Sequence, residues 1–192
     1  ERIVGTKPAS LTHAEAAALP LTAITAWEAL FDKLRLTAET TGTLLVLGAA
    51  GGVGSILIQL AKALTGVTVI ATASRPASRA WVEQLGADVV VDHTDPDLAR
   101  SILKAAPGGV DFVFTAQSKG RIPLFTKVVR PFGQIVAIDD ERDLDFYALK
   151  DKAISWHWEF MFARPRHGWN LEAQHHLLNR VSELIDAARI RT

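Results

Sequence analysis

Five short apolar runs, rich in β-branched residues, recur along this 192-residue chain, at 43–47 (TLLVL), 68–72 (TVIAT), 89–92 (VVVD), 110–114 (VDFVF) and 134–138 (QIVAI). Most are apolar at consecutive rather than alternate positions, the pattern of strands buried on both faces. Segments of helical character separate them, at 52–65, 76–85, 97–104 and 121–129. Strands alternating with helices build βαβ units, and right-handed crossovers then put helices on both faces of a parallel sheet. The spacing therefore predicts an α/β fold of three layers, α/β/α, around a doubly wound parallel sheet.

The flanks add helices and one further strand. Residues 12–19 (THAEAAAL) open with Thr12 and carry Glu15 three positions on, a capping-box spacing, and Pro20 follows as a stop. In 22–34, Ile24, Trp27, Leu30, Phe31 and Leu34 recur at helical spacing. Residues 154–162 (ISWHWEFMF) alternate, with Ile154, Trp156, Trp158, Phe160 and Phe162 on one side, as in a half-buried strand at a sheet edge. The stretch 171–190 reads as an amphipathic helix with Leu177, Leu178, Val181, Leu184, Ile185 and Ala188 in one stripe. The whole of 1–192 is read as one domain, with 1–40 as its leading helices.

Composition narrows the function classes. At 48% apolar residues the chain can bury one sizeable core. Lys plus Arg (21) equal Asp plus Glu (21), so nothing makes an electrostatic case for nucleic acid or an anionic membrane. The absence of cysteine excludes a disulfide framework, thiol catalysis and a cysteine-ligated zinc within the chain. No apolar run approaches the roughly 20 residues that span a bilayer. A soluble, cytoplasmic protein with a small-molecule partner is the expectation. The chain opens at Glu1 rather than Met and closes directly behind a helical pattern, so it reads as a piece of something longer.

The run Gly48-Ala-Ala-Gly-Gly-Val-Gly54 stands directly between the first strand and a long helix. A helix N-terminus offers unpaired N–H groups and positive dipole charge, which is the geometry of a phosphate site. As a dinucleotide fingerprint the run reads A-x-G-x-x-G from Ala49. Gly51 lets a pyrophosphate come against the backbone, Gly54 lets helix and strand pack closely, and Ala50, Gly52 and Val53 complete the loop. The bland alternative is an ordinary strand-to-helix turn. The surrounding βαβ pattern favours the phosphate site, and with it a Rossmann-type fold.

The end of the second strand selects the cofactor. A site for NAD carries an acidic residue about 20 positions downstream, on the adenosine ribose. Here the strand ends Thr72-Ala73-Ser74-Arg75, with Ala73 in place of the acid. Ser74 can hydrogen-bond a 2′-phosphate and Arg75 can pair with it, so NADP(H) is expected. Arg79, one turn into the next helix, and His93, behind the third strand, are further candidates. Their alternatives are a solvated helix charge and a plain loop residue.

With these motifs in view, the chain resembles the medium-chain dehydrogenase/reductase superfamily, in its quinone oxidoreductase and zinc-type alcohol dehydrogenase-like branch. The residues that carry the resemblance are AEAAALPLTAITAWEAL (14–30), LLVLGAAGGVGSILIQLAK (44–62), VIATASR (69–75), LGADVVVDH (85–93), DFVF (111–114) and GQIVAIDD (133–140). It implies a nicotinamide-dependent oxidoreductase acting on a carbonyl, enone or quinone, with this chain its cofactor-binding domain. It also implies a GroES-like catalytic domain outside this chain, which would hold most catalytic groups. Further implied are a homodimer through the 154–162 strand, Thr25 and Val53 near the nicotinamide, and Thr115 and Ile138 lining the nicotinamide-ribose side. Zinc-dependent members place a Cys ligand four residues before the threonine matching Thr25; here that position is Leu21, so no catalytic zinc is expected. The fragment alone is expected to bind NADPH weakly and to catalyse little.

Other constellations point less far. His175 and His176 are adjacent and lie on different helix faces. The cluster Asp139-Asp140-Glu141 reads as a solvated turn, and Trp156 and Trp158 as core or interface. Two rival functions fit the same loop. A non-catalytic NADPH sensor uses the same fold, and a methyltransferase wants an acid where Ala73 stands.

Overall fold

The computed structural model describes residues 2–192. Its centre is a sheet of six parallel strands in the order β3-β2-β1-β4-β5-β6. These are β1 (Thr43–Val46), β2 (Thr68–Thr72), β3 (Val89–Val91), β4 (Val110–Thr115), β5 (Val129–Ala137) and β6 (Ser155–Trp158). The expected doubly wound three-layer fold is present. The order reverses between β1 and β4, and at such a switch point a crevice opens beyond the carboxyl ends of the strands.

Strand period sorts the core into two layers. Leu44 and Val46 of β1, with Val69, Ala71, Phe114 and Val136, pack against one layer of helices. That layer holds α2 (Pro20–Trp27), α3 (Gly52–Leu64), α4 (Pro76–Gln84) and α8 (Glu172–Asp186). The alternate residues Leu45, Ile70, Val113 and Ile135 face α5 (Leu98–Ala105) and α6 (Ile122–Val128). Both faces of the inner strands are thus covered, which is why their sequences run apolar without alternation. Each fully buried large aliphatic or aromatic side chain here contributes about 1.5–3 kcal/mol.

Some boundaries differ from the sequence expectation. The first helix is the short α1 (His13–Ala17), with the capping box of Thr12 and Glu15 in place. Pro20 is not a stop but the first residue of α2, where its missing N–H leaves nothing unpaired. The helix expected over 22–34 loosens at Glu28–Lys33 into a π turn. The strand expected over 154–162 pairs with β5 only at Ser155–Trp158, and Glu159 adds one last N–H bond to Ala137. The chain then turns through α7 (Ala163–His167). Ile154 is buried and Trp156 packs on the core, whereas Trp158, Phe160 and Phe162 are 45–49% exposed.

Candidate functional site

At the switch point the glycines hold the chain in a turn that other residues cannot make. Gly48 has φ +75°, the left-handed region, and its carbonyl accepts the Gly51 N–H at 3.1 Å. The tight-turn glycine therefore stands one position before the Ala49 at which the fingerprint was counted. Gly54, in the first turn of α3, lies under the loop: a Cβ there would stand 2.6 Å from the carbonyl oxygens of both Gly48 and Ala49. Gly51 is the N-cap of α3, and no side chain caps that helix, so its first N–H groups keep their donors for a ligand.

A cleft of about 360 Å³ lies along this turn. The loop contributes Gly48, Ala50 and Gly51; the end of β2 and start of α4 contribute Ser74, Arg75 and Ser78; His93 follows β3. Gln117 and Arg121, from the connection between β4 and α6, form the remaining wall. Among the described residues no carboxylate lines the cleft, while Arg75, Arg121 and His93 do. His93 Nε2 stands 3.5 Å from Ser74 Oγ, so hydroxyl and imidazole face one point. The arrangement can take an elongated anion: phosphate oxygens against α3 and a further anionic group at the Ser74–Arg75 corner.

Of the residues singled out from sequence, Ala50, Gly51, Ser74, Arg75 and His93 come together in this cleft. Gly52, Val53 and Gly54 stand behind it in the first turn of α3. Arg79 is turned away: its guanidinium donates to the carbonyls of Ala73 and Val90, both at 3.1 Å, tying β2 to β3. Thr25 is buried in α2 and its hydroxyl donates to the Leu21 carbonyl at 2.9 Å, the common bond of a helical threonine. Thr115 is fully buried and accepts the Gln117 N–H, and Ile138 packs against the core beyond β5.

The sequence does not single out Ser78 or Arg121; Gly48 opens the glycine run with no role of its own, and Gln117 enters only as the end of the stretch 114–117 that the resemblance puts on the nicotinamide-ribose side. The signal for Gln117 and Arg121 was their place just past the carboxyl end of β4, beside the switch point. What fixes them is a bond that sequence does not show, between Ser118 and Asp139. Nor do the residues present fit a zinc ion. Leu21 is exposed and carries no donor, and the described residues hold no group of three His, Cys, Asp or Glu side chains able to grip a metal.

The family model described as zinc-binding dehydrogenase matches residues 52–152. A zinc-type alcohol dehydrogenase-like protein of Staphylococcus aureus is 39% identical over 196 residues, covering 97% of this chain and 57% of that protein. An NADPH-dependent alkenal/one oxidoreductase of Arabidopsis thaliana is 35% identical over 138 residues, 72% of this chain and 33% of that protein. Among solved structures, a Rhizobium etli protein classed with the zinc-dependent alcohol dehydrogenases superposes with a TM-score of 0.93 at 46% identity, over 100% of this chain and 57% of that one. The chain thus spans little more than half the length of the Staphylococcus aureus and Rhizobium etli proteins.

Proposed function

We propose a function from one premise: the chain belongs to the zinc-binding dehydrogenase family, within the medium-chain dehydrogenase/reductase superfamily. The cleft is the seat of NADP(H), and residues 1–192 are the dinucleotide-binding domain of an oxidoreductase that works without zinc on a carbonyl, enone or quinone. A GroES-like domain outside this chain completes the substrate site. One observation carries the choice of cofactor: a hydroxyl and a guanidinium, Ser74 and Arg75, stand at the end of β2 in a cleft that no carboxylate among the described residues lines.

In this reading the N–H groups of α3 hold the pyrophosphate, and Gly51 lets it approach the backbone. Ser74 and Arg75 grip the 2′-phosphate, with His93 behind Ser74 and Arg121 across the cleft. The bound cofactor supplies the hydride; this chain fixes where it is presented. Thr25 and Val53, expected at the nicotinamide, lie outside the cleft described, so their role rests on the resemblance. A cytoplasmic location and a homodimer through the open edge of β6 belong to the same proposal.

Calorimetric titration with NADPH and then NADH tests it. NADPH binds more tightly, and Arg75→Ala lowers its affinity roughly tenfold, about one charge-assisted hydrogen bond at an exposed position, with little change for NADH. Equal affinity for both cofactors overturns the 2′-phosphate assignment.

A further inference from the structure

The end of β6 buries an acid that the cofactor cleft does not use. The Glu159 side chain is 0% exposed, and neither carboxyl oxygen receives a hydrogen bond from a described donor. Lys33 Nζ stands 3.9 Å away, beyond hydrogen-bond reach. Against Glu159 lies Glu28, itself buried, at the start of the π turn. Glu28 Oε1 is already engaged: Arg164 Nε donates to it at 2.8 Å and Gln174 Nε2 at 3.2 Å. Arg164 divides its charge between Glu28 and Asp32, which it meets at 2.5 Å.

The charged groups that act on Glu159 are therefore Glu28, Asp32 and Lys33 from the π turn, while Arg164 from α7 and the neutral Gln174 from α8 bind Glu28. On its own strand, His157 binds Gln134, and burial, then Lys33 and Arg35, holds its titration low. His167 borders the same cluster. Two buried carboxylates in contact, with one guanidinium already shared, cannot both carry charge. A single proton between them gives Glu159 an O–H to donate to Glu28 and removes the repulsion. Burial first, then the charge of Glu28, push the Glu159 carboxyl up to about 9 from its ordinary 4.5.

We propose that Glu28 and Glu159 form a one-proton latch fastening the end of β6 and α7 to the π turn below α2, and that the latch loosens as pH rises. The sign follows from linkage. The fastened state holds one proton more than the released state wherever pH lies between the two titration points, about 4.5 and about 9. Release then becomes easier by roughly tenfold per pH unit across that window, and flattens above it. What the latch positions is the segment from Glu159 to His167, which carries the exposed Phe160 and Phe162.

Hydrogen exchange in the intact protein tests this. The protected amides are those of Glu159, Ala163 and Arg166, bonded to Ala137, Phe160 and Phe162. With each rate divided by the intrinsic rate at the same pH, their opening rises about tenfold per unit from pH 6 to pH 8 in the wild type. In Glu159→Gln, which keeps a donor for Glu28 but cannot ionise, opening stays flat. Should that variant fail to fold, Glu28→Gln decides: it still accepts from Arg164 but removes the second charge, so the rise levels off at a lower pH and its slope toward pH 8 falls. A flat wild-type profile, or an unchanged slope in the variant that folds, overturns the latch.

Discussion

Ser118 donates both its backbone N–H and its hydroxyl to Asp139, one to each carboxylate oxygen and both at 2.7 Å. Ser118 is fully buried, and its own carbonyl accepts the Arg121 N–H at 2.9 Å. One carboxylate beyond β5 thus sets the loop that carries Gln117 and Arg121 into the cleft. Asp139→Ala leaves two buried donors unpaired and is expected to cost about 1–3 kcal/mol. Asp139→Asn keeps one acceptor and costs less. Urea unfolding of the two variants checks the order; a wild-type midpoint for Asp139→Ala would show that the bond holds nothing.

Gly54 gives a second test, of loop geometry rather than polarity. A methyl there would press on two backbone carbonyls at 2.6 Å, neither of which can swing aside. Gly54→Ala is expected to destabilise by about 1–3 kcal/mol, the usual range for forcing extra volume into a packed site. Gly108 is the control, with open space around its Cβ position and no left-handed backbone. There alanine stabilises by about 0.4–1 kcal/mol through the unfolded chain. Equal midpoints for the two alanine variants would contradict the close approach.

The contrast between these positions explains how much could be read in advance. Gly51 and Gly54, the first five strands and the Ser74–Arg75 corner announce themselves because backbone geometry and strand burial act locally in sequence. Arg79 does not: its spacing suits a phosphate, yet its guanidinium is consumed by two carbonyls that only the fold brings near. Asp139 looked like part of a solvated turn because its partner lies 21 residues away. Glu159 was counted on the polar face of an edge strand; the strand ends there, and the π turn of Glu28 covers it. What was missed are long-range polar pairs, which leave no period in the sequence.

Acid sensitivity is expected at the N-terminal segment. Asp186, in the last turn of α8, accepts from the Ser10 hydroxyl and from the N–H groups of Ser10 and Ala9. These bonds, the Ser10 hydroxyl foremost, hold its carboxyl below the ordinary carboxylate value. A depressed acid contributes above its unfolded titration point and loses that contribution as pH falls through the folded one. Residues 7–12 are therefore released from α8 in acid, and proteolysis after Lys7 quickens there. In Asp186→Asn the cleavage rate, corrected for the protease's own profile, loses that acid step; an identical step in both proteins would remove Asp186 from the account.

The edge of β6 supplies the last expectation. Paired with β5 on one side, its other side presents unpaired backbone groups among the exposed aromatics Trp158, Phe160 and Phe162. An open edge of this kind invites another strand, and charges are what keep such edges apart. None of these three residues is charged, and the Phe160 and Phe162 rings meet edge to face with centroids 5.5 Å apart. If a second copy covers this edge, sedimentation shows a species of twice the chain mass that dissociates on dilution. Trp158→Glu then puts like charges across the pairing and shifts the protein to the single copy, with the fold and the cleft at the ends of β1, β2, β3 and β4 unaffected. A wild type that sediments as one copy at every concentration, or a Trp158→Glu variant that still pairs, would place the contact elsewhere.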